Sequence, residues 1–122
     1  MRHPPALLVA AGNGKLDMVK LLLEKGANVE AKDNGGDTAL LLAADKGKTE
    51  VVKMLLEKAA NTERDAALLM AVVKGYTDVV ELLLEKGANI EAVDNSGNTA
   101  LFSAAALGRT EVVKLLLEKG AE

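Results

Sequence analysis
One phrase is written four times along this chain of 122 residues. KLDMVKLLLEKGANVEAKD (15–33) returns as KTEVVKMLLEKAANTERD (48–65), as YTDVVELLLEKGANIEAVD (76–94) and as RTEVVKLLLEKGAE (109–122). Gly14 and Gly47 are 33 residues apart, Gly47 and Gly75 are 28 apart, and Gly75 and Gly108 are again 33 apart. The period is therefore 33, with one loss of five residues between the second and third units. A fixed period of this length dictates an architecture. Each unit is a single supersecondary element that cannot bury its apolar face alone and has to stack on its neighbours.

Every unit contains two helical stretches. The first is short: ALLVAAG, TALLLAADKG, AALLMAVVKG and TALFSAAALG. Thr38 and Thr99 stand where N-caps belong. Gly14, Gly47, Gly75 and Gly108 mark the point where the chain turns back. The second stretch opens with Asp17, Glu50, Asp78 or Glu111, acids suited to the positive end of a helix dipole. Its apolar residues fall at i, i+1, i+4 and i+5 (Val51, Val52, Leu55, Leu56), which makes one buried face. Lys-Gly closes it at 25–26, 86–87 and 119–120, with Gly in the left-handed position. Small Ala at 10–11, 43–44 and 104–105 lets neighbouring first helices approach closely. Between units, DNGGD (33–37) and DNSGN (94–98) read as tight turns joining two short extended arms. The physics alone gives an all-α solenoid with protruding turns.

D-x-x-G-x-T-A-L-x-x-A-A-x-x-G-x-x-E-V-V-K-L-L-L-E-K-G-A-N resembles the ankyrin repeat, and the resemblance runs from about Pro5 to Ala121. It implies an all-α ankyrin-repeat solenoid of four helix-turn-helix units with protruding β-hairpin turns, one hairpin missing. The units would lie at about 1–33, 34–65, 66–94 and 95–122 of a single domain, 1–122. The family's T-P-L-H stands here as T-A-L-L (38–41), A-A-L-L (66–69) and T-A-L-F (99–102), so its Pro and His are replaced in each of them.

Catalytic chemistry finds no footing in this composition. There is no Cys, and the one His, His3, sits in a Pro-flanked tail. A metal site or nucleophile triad lacks its partners. The carboxylates recur at Glu24, Glu57, Glu85 and Glu118, with Lys20, Lys53 and Lys114 as i,i+4 neighbours, the pattern of solvated helix faces. GNGKL (12–16) lacks the spacing and the Ser or Thr of a phosphate loop. The expectation is a protein that is not an enzyme and needs no cofactor. A net charge of −3 with Lys and Glu interspersed gives no reason to expect nucleic acid or an anionic membrane as partner. ALLVAA, after Arg2 and Pro4-Pro5, is faintly leader-like but fits the repeat. With no run long enough to span a bilayer, the expectation is an intracellular, cytoplasmic protein.

What remains is surface. The resemblance implies that the turn tips and the exposed face of the first helices bind another protein. Carried over position by position, the tips are Lys32, Asn34, Gly35 and Asp37, then Val93, Asn95, Ser96 and Asn98. The first helices end at Gly12–Asn13, Asp45–Lys46, Val73–Lys74 and Ala106–Leu107. One turn earlier lie Val9, Leu42, Met70 and Ser103. Leu42, Met70, Val73, Ala106 and Leu107 would form an apolar streak bordered by Asp45, Lys46 and Lys74, unless they simply pack.

Three readings compete. The first is a non-catalytic binding module. The second is a structural spacer, or a designed or reconstructed scaffold with no partner, suggested by the near-identity of the second helices. The third is end-to-end self-association. Neither terminal unit carries a polar closing face, and Val113, Leu116 and Leu117 are expected to be partly uncovered.

The odd junction is KAANTERDAALL (58–69), where the turn phrase is deleted and Ala59 replaces the closing Gly. The second helix is expected to run on through Ala60. The next would be capped by Asn61 or Thr62 and lengthened through Glu63, Arg64 and Asp65, with Thr62-x-x-Asp65 resembling a capping box. Those three charges, Arg64 among them, would be exposed in a gap between the tips at 33–37 and 94–98.

Overall fold
In a computed structural model, residues 5–58, 60 and 63–122 are described. Among them the regular structure is all helical, in two compact units that divide between Glu63 and Arg64. His3, Ala59, Asn61 and Thr62 lie outside the described residues, and with them the expected cap and capping box.

The first unit holds α1 (Ala6–Gly12), α2 (Leu16–Glu24), α3 (Ala39–Asp45) and α4 (Thr49–Glu57). Each short helix packs on the longer one that follows it, α1 on α3, and α2 on α4. The close approach of α1 and α3 is made through Ala10, Ala11, Ala43 and Ala44, all buried. Val51, Val52, Leu55 and Leu56 are buried together on α4, as the i, i+1, i+4, i+5 spacing requires. The second unit repeats the arrangement with α5 (Arg64–Lys74), α6 (Thr77–Glu85), α7 (Ala100–Ala106) and α8 (Thr110–Glu118). Here α5 packs on α6 and α7, while α8 packs on α6 and α7. Leu68, Leu83 and Leu116 are fully buried, each contributing roughly 1.5–3 kcal/mol of apolar burial.

Helix ends follow the sequence closely. Thr38 Oγ1 accepts from the Leu41 amide at 3.3 Å, and Thr99 Oγ1 from that of Phe102 at 3.2 Å. At the end of α2, Gly26 (φ 90°) donates to Leu23 and Ala27 donates to Leu22, the paired closing bonds of a Schellman motif. The same pair recurs at Gly87–Ala88 and Gly120–Ala121.

The hairpins are smaller than expected. In place of two extended arms there is one bridge pair, Lys32 with Thr38, and another, Val93 with Thr99. What holds each tip is a carboxylate. Asp33 Oδ1 accepts from the amides of Gly35 at 2.8 Å and Asp37 at 2.9 Å. Asp94 Oδ1 does the same for Ser96 and Asn98, at 2.9 and 3.0 Å. A side chain that satisfies two turn amides leaves little need for a longer ladder.

The deleted junction also differs from expectation. α4 does not run on: it ends at Glu57, and the Ala60 amide donates to Leu55 at 3.0 Å, the bond made at the other second-helix ends. Leu55 and Ala60 are buried, so packing stops the helix in the ordinary place without the closing Gly. α5 is longer than its counterparts, at 11 residues against 7, but it starts at Arg64 and excludes Glu63. Glu63 is left-handed (φ 68°) and its carboxylate lies 3.2 Å from Lys32 Nζ.

At the C-terminal repeat, Leu116 is 0 % exposed and Leu117 55 %. Val113 is half-buried. The expected uncovering therefore applies to Leu117 and in part to Val113, but not to Leu116, which points at α7 and α6 rather than away from them.

Candidate protein-binding groove
In the second unit α5 carries one stripe along its length: Asp65, Ala66, Leu69, Met70, Val73 and Lys74. These are positions i, i+1, i+4, i+5, i+8 and i+9, a single helical face about 14 Å long. The face does not meet another helix everywhere. Against it stand the hairpin residues Val93, Asp94 and Asn95, with Ser103 of α7, and together they enclose a groove of about 460 Å³. Its floor is apolar. Val93 and Val73 are exposed, and Leu69 and Met70 are half-buried. An acid, Asp65, stands at one end of the stripe and Lys74 at the other.

Six residues named from the sequence thus come together: Met70, Val73, Lys74, Val93, Asn95 and Ser103. Ala66, Leu69, Asp65 and Asp94 were not among the sequence candidates. Extending the helical spacing from Met70 by one residue and one turn would have found Ala66 and Leu69. Ala106 and Leu107 are exposed at the end of α7 but do not line this groove. The Asn98 side chain is half-buried beside the tip whose amide Asp94 holds.

Arg64 and Asp65 are not idle surface charges. The Arg64 guanidinium donates to the carbonyl of Lys86 at the end of α6, a cation at the negative end of a helix. Asp65 Oδ1 accepts from the Asn89 amide at 2.7 Å. The two clasp the chain as it leaves α6. Arg109 acts likewise on α5, donating through Nε and Nη2 to the carbonyl of Val73 at 3.1 and 2.8 Å.

In the first unit the candidates are spread along one hairpin and α3. Asn34 is exposed at the tip, Lys32 is taken up by Glu63, Leu42 is half-buried, and Lys46 is exposed at 3.9 Å from Asp45. The Asp37 carboxyl is held above its ordinary value, first by desolvation and then by the negative charges of Asp33, Glu63 and Asp45. A carboxyl whose folded pKa lies above its unfolded one favours the fold when protonated. That contribution is complete below the ordinary value of 3.8 and is lost as pH rises through the folded value. Asp37→Asn is therefore expected to stabilise the protein at neutral pH. The gain should vanish below the ordinary aspartate pKa, as denaturant melts at the two pH values would show.

A family profile described as ankyrin repeats (3 copies) matches residues 2–66 and 60–122. The chain belongs to the ankyrin-repeat family. No curated protein matches it significantly. Ankyrin repeats generally serve protein–protein interaction and are generally not catalytic. Among the described residues of this ankyrin chain no cluster of His, Cys, Asp or Glu could hold a metal ion. Nor is any described helix long and apolar enough to cross a membrane.

Proposed function
We propose that this ankyrin chain is a non-catalytic module that binds another protein through the α5–hairpin groove. The observation that carries the reading is convergence. Met70, Val73, Val93 and Asn95 come from two separate elements, occupy the first-helix and tip positions of the repeat, and line one groove. An apolar floor with polar ends is how interfaces seat an apolar anchor and fix its orientation. Asp65 and Lys74 favour a partner segment that brings a basic group to the first end and an acidic one to the second. On the first unit, Asn34, Leu42, Asp45 and Lys46 would form a contact surface of their own.

A displayed library of short peptides, panned against the wild-type chain, supplies the test. Binders are expected to carry a large apolar residue, and Met70→Glu or Val73→Glu should weaken them tenfold or more, the effect of losing a hot spot of roughly 2 kcal/mol. Val73 is exposed and Met70 half-buried, and circular dichroism checks that each variant keeps its fold. Binders equally tight on wild type and variants would place recognition elsewhere.

A further inference from the structure
Seven asparagines stand in the chain, and the residue after each decides how reactive it is. The side-chain carbonyl carbon of an Asn can be attacked by the backbone nitrogen of the next residue. Bulk on that next residue slows the attack, and so does any restraint on the backbone between the two. Asn28, Asn61, Asn89 and Asn98 precede Val29, Thr62, Ile90 and Thr99. A β-branched neighbour crowds the attacking nitrogen. Three candidates remain: Asn13-Gly14, Asn34-Gly35 and Asn95-Ser96.

The fold separates these three. Attack requires the Asn backbone to rotate until the nitrogen faces the Asn side chain. Asn13 closes α1 with φ −91° and ψ 0°. The Gly14 amide donates to Ala11 and the Lys15 amide to Ala10, at 3.1 and 3.0 Å. The Lys48 side chain lies so close over Gly14 that a Cβ there would come 2.8 Å from its Cδ. Rotation at Asn13 would therefore open a helix end and meet Lys48. Asn34 stands at a hairpin tip, exposed and followed by two exposed glycines. No atom lies within 4 Å of where a Gly36 Cβ would be, and around Gly35 only the carboxylates of Asp33 and Asp37 do. Two bonds restrain the glycines, from the Gly35 amide to Asp33 Oδ1 at 2.8 Å and from the Gly36 amide to the Asp33 carbonyl at 3.0 Å. Asn95 sits in the same turn, with the Ser96 amide on Asp94 Oδ1 at 2.9 Å. It differs in the side chain carried by the attacking residue.

We propose that Asn34 is a site of spontaneous deamidation, at which the tip of the first hairpin exchanges a neutral amide for a carboxylate. The Gly35 nitrogen gives its proton to solvent base and bonds to Asn34 Cγ. The Cγ–Nδ2 bond breaks and ammonia leaves. Water then opens the cyclic imide. Opening at Cγ leaves aspartate; opening at the main-chain carbonyl leaves isoaspartate, with a further methylene in the backbone. Water is the one co-reactant. The new charge stands beside Asp33 and Asp37, so the tip becomes acidic and favours a basic segment over an acidic one. Isoaspartate also lengthens the turn that Gly36 closes on the Asp33 carbonyl. Asn34 belongs to the contact surface of the first unit, so the selectivity of that surface changes with time and without a modifying enzyme.

Incubation of the 122-residue chain in mildly alkaline buffer, followed by peptide mapping in a mass spectrometer, tests this. Each event adds about 1 Da, and fragmentation distinguishes aspartate from isoaspartate. In the folded chain Asn34 should convert at least about tenfold faster than Asn13 or Asn95, which a small difference in barrier supplies. In urea Asn13, which also precedes Gly, should rise to the rate of Asn34. Exchanging the attacking residues should exchange the behaviour. Gly35→Ser should slow Asn34 to the rate of Asn95, and Ser96→Gly should raise Asn95 to that of Asn34. A Cβ at Gly35 meets nothing closer than 3.4 Å, so the first variant should fold. Asn34 converting no faster than Asn13 in the folded chain overturns the inference. So do the two exchanges if they leave the rates at Asn34 and Asn95 unmoved.

Discussion
Leu116→Ala should cost roughly 2–5 kcal/mol of unfolding free energy, and Leu117→Ala, one residue along the same helix, less than about 0.5 kcal/mol. The two leucines are chemically identical and adjacent, but one is fully buried and the other 55 % exposed. Leu116 lies on the side of α8 that packs on α6 and α7, where no water can fill the space left by a truncated side chain. The loss is a large share of the 5–15 kcal/mol typical of a small domain. Urea unfolding followed by circular dichroism gives both numbers. Equal costs for the two would mean that α8 does not turn Leu116 inward and Leu117 outward.

Gly75→Val should cost about 1–3 kcal/mol for the backbone alone. Gly75 holds φ at +76°, a conformation that a β-branched residue resists. A second cost is added by packing. A Cβ at this position would lie 3.1 Å from Cδ and 3.3 Å from Nε of Arg109, whose guanidinium is fixed on the Val73 carbonyl. Gly108→Val is the internal control. Its φ is +71° at the equivalent helix end, with nothing within 4 Å of the added carbon. The excess of the first over the second measures the Arg109 contact, and in an Arg109→Ala background that excess should shrink. No excess would show that the guanidinium moves aside freely.

Helix pairs, caps and the buried face of each second helix were legible because they depend on local spacing that repeats. Thr38, Gly26 and the Val51–Leu56 face needed only residues within a turn or two of themselves. The junction at 58–69 was legible only in the lengthening of α5 through Arg64 and Asp65, for the opposite reason. Its shape depends on partners far away in sequence: Arg64 on the Lys86 carbonyl, Asp65 on the Asn89 amide, Glu63 on Lys32. Spacing alone exposes all three charges, and of them only Asp65 is exposed. Spacing likewise lets α4 continue, since nothing in Ala59-Ala60 forbids a helix; burial of Leu55 and Ala60 decides the matter. The groove was half legible. Position in the repeat picks out Met70 and Val93, but depth is created by the distance between α5 and the 93–95 hairpin, which no spacing rule contains.

The carboxylate of Asp94, already bound to the amides of Ser96 and Asn98, bears on the thermodynamics of recognition. A partner that meets Val93 and Asn95 meets a loop whose ordering entropy has already been spent in folding. Ordering a free loop costs about 0.5–1.5 kcal/mol for each side chain immobilised on association. Asp94→Ala should therefore make the binding entropy of a groove ligand less favourable, which calorimetry would show.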